Sequence, residues 1–140
     1  MTRVEFFFNV PDKLEKSVEL CGKAIAKGRQ VTVFTENDDI SNQLQQQLWQ
    51  ASETSFLPSA MPSDGTCRYA PISLDSLGDK LHQDDILINL RAEHPPFFSR
   101  FRVLVELVGS EEADKVAARL RFRFYRERGY EIKSTDINSR

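Results

Sequence analysis

An apolar run, an amphipathic helix and a second apolar run, in that order from the first residues, constrain this chain more than any other feature. "RVEFFFNV" reads as a short strand of the kind buried on both faces of a parallel sheet. "PDKLEKSVELCGKAIAKG" follows, with Leu14, Val18, Cys21 and Ile25 at i, i+4, i+7 and i+11, one stripe of an amphipathic helix that Gly28 stops. "RQVTVFTE" is a second strand, and "NDDISNQLQQQLWQ" a second helix with Asn37 or Asp38 at its N-cap. Strand, helix, strand, helix implies right-handed crossovers and an α/β fold around a mostly parallel sheet.

Downstream the pattern loosens. "ASETSFLPSAMPSDGTCRYAPISLDS" is broken by Pro58, Pro62, Gly65 and Pro71 into short extended pieces that expose Phe56 and Leu57. "DDILINL" is another buried strand, and "RAEHPPFFSRF" turns the chain through two prolines into an aromatic segment. "RVLVELVG" fits either a strand or a short helix. "YEIKS" reads as an edge strand, followed by a polar tail. The 140 residues suit one domain, 1–140, with about 134–140 as a flexible tail.

Between these last elements lies "ARLRFRFYRERGYE", with five arginines among Leu120, Phe122, Phe124 and Tyr125. Taken alone, Arg119 to Phe124 alternates like a strand. The upstream residues favour a helix: Ser110 is a good N-cap, Glu111, Glu112 and Asp114 suit a helix N-terminus, and Gly129 suits its end. The prediction is a helix over 111–128. At about 100° per residue, Ala113, Val116, Ala117, Leu120 and Phe124 gather on one flank as the core face. Lys115, Arg119, Phe122, Arg123 and Arg126 gather on the other.

Charge sharpens the interest of that second flank. The net charge is −2, yet residues 1–99 carry 9 Lys+Arg against 14 Asp+Glu (net −5), while residues 100–140 carry 10 against 7 (net +3). A local positive field suits a small anionic target. Three readings are open: a solvated helix face, a groove tracking nucleic-acid phosphates and bases, and capture of an acidic peptide end that also carries an apolar side chain.

Other chemistry has little support. No GxGxxG or GxxxxGK[ST] follows the first strand, so no cofactor is expected. His82 and His94 lack a Cys or Ser partner at a useful spacing, and Asp84-Asp85 reads as a turn rather than a metal pair. An enzyme is not predicted. Cys21 and Cys67 read as small buried hydrophobes, without disulfide or zinc. With no signal peptide and no apolar run of membrane-spanning length, the expected location is the cytoplasm.

The pieces "VEFFFN", "GRQVTVFTEN", "QLWQASETSFLP", "APISL", "DDILINLRAEHPPFFSRF", "VLVELVG" and "ARLRFRFYRERGYEI", in this order and spacing, make the chain resemble the chi subunit of bacterial DNA polymerase III holoenzyme. The resemblance implies a Rossmann-like three-layer α/β fold without catalytic activity. It implies an adaptor in the clamp-loader complex that joins the psi subunit to the acidic C-terminal tail of single-stranded DNA-binding protein. That tail ends in a phenylalanine with a free carboxylate. The tail-binding residues implied are Lys115, Arg119, Phe122 and Arg123, with Val108 lining the hollow for the ring; Arg126 extends the same basic flank. Phe122 and Arg123 stand where common members have Tyr and Lys, which keeps the charge and loses a phenolic hydrogen bond. The psi contact implied is Trp49, Phe56, Leu57 and Pro58, with Ser59 replacing a frequent histidine. A direct single-stranded nucleic-acid-binding module is the alternative; under the adaptor reading nucleic acid is reached only indirectly, and no membrane is involved.

Overall fold

A computed structural model describes residues 2–51, 59–60, 72–75, 85–91, 93–95 and 97–137. The elements are β1 (Arg3–Phe8), α1 (Lys13–Ala26), β2 (Val31–Phe34), α2 (Asp38–Ala51), β3 (Ser59–Ala60), β4 (Ile72–Asp75), β5 (Ile86–Asn89), a 3-10 turn (Phe98–Arg100), β6 (Val103–Leu107), α3 (Glu112–Glu127) and β7 (Glu131–Asp136). The described strands form one sheet in the order β3-β4-β2-β5-β6-β1-β7, and every pairing is parallel.

Alternation along the strands divides the core in two. On one side Val31, Val33, Ile88, Val103, Val105 and Leu107 meet Cys21 and Ala24 of α1 and Leu44 and Leu48 of α2. On the other, Val4, Phe6, Phe34, Leu87, Leu104 and Val108 meet Ala118 and Tyr125 of α3. Helices therefore cover both faces, the expected three-layer α/β arrangement. Leu14, Val18, Cys21 and Ile25 all join the first core, as their spacing predicts. Burial pushes the Cys21 thiol up to about 12, which leaves it a small apolar filler.

Helix ends follow local chemistry. Asp12 caps α1 by accepting from the backbone N–H groups of Leu14 (3.0 Å) and Glu15 (3.2 Å). Asn37 does the same for α2 through the Ile40 N–H, 2.9 Å. Gly28 and Gly129 take left-handed conformations, φ 72° and 82°. Each closes a Schellman motif: Arg29 N–H donates to Ala24 C=O and Tyr130 N–H to Tyr125 C=O. The second of these turns the chain from α3 straight into β7.

Several sequence expectations need correction. "RVLVELVG" is a strand, with all five residues of β6 buried. "ISLD", inside the stretch read as irregular, is strand β4 beside β2. The last strand runs to Asp136, so residues 134–136 belong to the sheet rather than to a tail. Ser110 does not cap α3; Glu111 holds the cap position without a side-chain bond, and Asp114 instead accepts from the Gly109 N–H at 2.6 Å. The largest difference is the roll of α3. Val116 is 47 % and Leu120 64 % exposed, whereas Ala118, Arg121 and Tyr125 are buried. Cys67, His82 and Asp84 lie outside the described residues.

Candidate functional site

Open parallel sheets hold ligands beyond the carboxyl ends of their strands, and a cleft of ≈ 590 Å³ lies there. Its lining comes from the start of α1 (Asp12, Lys13), from Glu36 before α2, and from Glu111 and Asp114 at the start of α3. Helix N-termini usually favour anions through free N–H groups. On α1 and α2 these groups are engaged by the chain's own side chains, Asp12 and Asn37; α3 has no side-chain cap, and Asp114 accepts from the Gly109 N–H in the turn before it. Lys13 is held by Asp114 at 3.3 Å. Four carboxylates and one paired lysine make this mouth electrostatically unfavourable for a phosphate.

A cluster of positive charge lies elsewhere, on α3. Lys115, Arg119, Phe122, Arg123 and Arg126 share one flank within about 100° of the helix circumference. Arg119 reaches Glu112 at 3.7 Å in a pair exposed on both sides, a contact of small energetic weight. Among the described residues, Lys115, Arg123 and Arg126 make no ion pair. Phe122 is half-buried, its ring 5.3 Å from that of Phe6. Phe6 in turn stacks on Phe8 at 5.7 Å, and Phe8 and Ile132 are both partly buried against the same core. The basic flank thus overlooks the β1–β7 edge across a partly open apolar floor. Val108 is only 1 % exposed and belongs to the same core cluster, so it is buried rather than open to a ligand.

The opposite flank of α3 faces β5. There His94 stacks on Phe124 at 3.9 Å, and Arg128 lies over Phe124. Burial and the neighbouring Arg128 hold His94 below the usual imidazole range. Asp85 receives a guanidinium fork from Arg29, which lowers its carboxyl. Its carboxylate also accepts from the Gln30 N–H at 3.2 Å, so it ties the start of β5 to the start of β2. No group of three or more metal-ligating side chains occurs among the described residues.

Beneath α3 lies a cluster that the sequence reading did not single out. Glu106 of β6 is fully buried on the α3 side of the sheet. Tyr125 Oη donates to its Oε2 at 2.5 Å, Arg121 Nε to its Oε1 at 3.1 Å, and Asn89 Nδ2 to both oxygens at 3.0 and 3.1 Å. Burial pushes the Glu106 carboxyl up to about 7, while Arg121, Tyr125 and Asn89 all pull the other way. Tyr125 is raised by burial and by the adjacent carboxylate. The available signals were an acid in the middle of an apolar strand and an Arg-Tyr pair four residues apart on the next helix.

Trp49 lies in the last turn of α2, and Phe56, Leu57 and Pro58 fall outside the described residues. No helix among the described residues is long and apolar enough to cross a membrane.

Fold and charge together define a three-layer parallel α/β domain whose cleft at the strand ends is lined by its own acids and which carries a row of cations on one flank of α3. The particular family follows from comparison with known proteins. The chain belongs to the DNA polymerase III chi subunit family, whose model (DNA polymerase III chi subunit, HolC) matches residues 1–133. It is 33% identical over 138 residues to DNA polymerase III subunit chi of Pseudomonas aeruginosa, covering 95% of each chain. It is 27% identical over 124 residues to that of Haemophilus influenzae, covering 88% of this chain and 86% of the relative. For the Escherichia coli protein the figures are 26% over 117 residues, 83% and 80%. It is accordingly an accessory subunit of the replicative polymerase.

Proposed function

We propose that this chain is a non-catalytic adaptor of the clamp-loader complex, which holds the psi subunit and grips the acidic C-terminal tail of single-stranded DNA-binding protein. The observation that carries the tail site is the flank of α3. It joins a row of cations without buried partners to a half-buried ring beside a partly open apolar floor. Arg119 forks onto the tail's terminal carboxylate, and Lys115, Arg123 and Arg126 attract the preceding acids. The terminal ring settles against Phe122, Phe8 and Ile132. Each charge-assisted hydrogen bond contributes about 1.5–3 kcal/mol, and burial of a ring about 2 kcal/mol. Ordering a flexible tail offsets much of that, so the expected affinity is micromolar, about −8 kcal/mol, and weaker in salt.

For psi we assign the segment carrying Trp49, Phe56, Leu57 and Pro58, on the resemblance that the sequence already carried. The placement of α2 supports it: α2 packs on the face of the sheet opposite α3. A partner held by α2 would not compete for surface with one held by α3, which suits a bridge.

Calorimetric titration tests the tail site. An acidic peptide ending in phenylalanine binds, and the same peptide without that residue gives no heat. Arg119→Ala loses most of the affinity and keeps the fold; unchanged binding moves the site off this flank. Tight, steeply salt-dependent binding of single-stranded DNA by the isolated chain favours the nucleic-acid module instead.

A further inference from the structure

Two faces of α3 compete for the sheet. One carries Ala118, Arg121 and Tyr125 and is the face that packs. The other carries Ala113, Val116, Ala117, Leu120 and Phe124, about 120° around the helix. On apolar surface alone the second wins, because it holds a valine, a leucine and a phenylalanine and no charge. Yet Val116 and Leu120 are the large hydrophobics left exposed among the described residues.

The side chain that decides between them is on β6. Leu104, Glu106 and Val108 alternate onto the α3 side of the sheet. An apolar helix face laid over Glu106 leaves a fully buried carboxyl without a cation or a phenolic donor, which is strongly unfavourable. The observed face places Arg121 and Tyr125, one turn apart, on its two oxygens. From the other side Asn89 holds Glu106 and is itself fixed by the backbone of its own loop: its Nδ2 donates to Glu93 C=O and its Oδ1 accepts from the Arg91 N–H. Every polar atom of the carboxylate has a partner, and those partners come from β5 and from one face of α3.

We infer that the Glu106–Arg121–Tyr125–Asn89 cluster is a roll pin: it sets α3 to the rotation that turns Lys115, Arg119, Phe122 and Arg123 toward the β1–β7 edge. The pin stands on packing geometry, and only its consequence for binding rests on the tail site proposed above. A roll of about 120° toward the apolar face carries the basic flank away from Phe8 and Ile132 and buries Val116 and Leu120. Arg121 and Tyr125 are thus positioning residues that act through the helix and need not touch the partner. Single buried polar residues in some other proteins fix a register in a comparable way, at little net gain in stability.

The test is the double variant Glu106→Leu with Arg121→Leu, studied by methyl and aromatic NMR on the full chain. In the native protein Phe122 gives contacts to Phe6, Tyr125 gives contacts to Phe98, and the Leu120 methyls give none to the core rings. The pin predicts that in the double variant Val116 and Leu120 gain core contacts and the Phe122–Phe6 contact weakens. Affinity for the acidic phenylalanine-ended peptide then falls by about tenfold or more, as pre-organisation is lost. A native contact set in that variant overturns the pin, since ring packing and the helix ends would then be enough. Shifted contacts with unchanged peptide affinity support the pin and overturn the tail site on α3, so the two ideas fail separately. Should the double variant not fold, adding Val116→Gln and Leu120→Gln removes the rival face. Return of the native contacts supports the pin, and failure to return overturns it.

Discussion

The two faces of the sheet are held by different physics. On the α1/α2 face the contacts are aliphatic, with Leu44 and Leu48 against Val31, Val33 and Ile88. On the α3 face rings dominate: Phe98 lies 5.0 Å from Tyr125 and 5.1 Å from Tyr130, and a carboxylate with three polar partners sits in their midst. Aliphatic packing rewards burial and is tolerant of small rotations. Directional bonds from Tyr125, Arg121 and Asn89 to Glu106 tolerate very little. One face supplies adhesion; the other fixes an orientation.

Breaking the directional face has the largest expected effect. Arg121→Ala strands Glu106 in the core and destabilises the chain by about 3–5 kcal/mol, read from urea unfolding. A loss near zero would mean that the guanidinium is dispensable and the contrast between the faces false. On the aliphatic face Leu44→Ala costs about 3 kcal/mol through the cavity it leaves. The equally apolar Leu120→Gln on α3 changes stability by no more than about 0.5 kcal/mol. Comparable losses at these two leucines would put Leu120 in the core. The smallest effect belongs to the surface fork at Asp85. Arg29 holds its carboxyl below the ordinary value, so its contribution is present above the unfolded pKa of about 3.9 and fades as the pH falls through the lower folded value. Asp85→Asn therefore costs under about 1 kcal/mol at neutral pH, and the gap to the native chain closes in acid. A gap that persists well below pH 3 would assign the loss to packing.

That contrast also explains what the sequence could tell. Leu14, Val18, Cys21 and Ile25 repeat at helical spacing and all pack against the core, Cys21 fully and the others partly buried, because no polar demand on the sheet competes with them. The parallel sheet and the helix over 111–128 were legible for the same reason, and so was the gathering of Lys115, Arg119, Phe122, Arg123 and Arg126 on one flank. The roll of α3 was not. Ranking its flanks by apolarity puts Val116 and Leu120 inside; the structure puts Arg121 there, because the deciding residue, Glu106, lies on another element. Pairwise polar demands between distant segments leave no period in a sequence. Strand β4 was missed because Pro71 directly before it and the polar Ser73 within it mask a four-residue run.

The acids that seal the cleft have one further consequence. Replication proceeds in a solution crowded with nucleoside triphosphates, and most parallel α/β scaffolds offer such molecules a seat. Asp12 already occupies the first amides of α1 and Asp114 ties down Lys13, so an anion entering from solvent meets carboxylates where such scaffolds usually offer an open N–H.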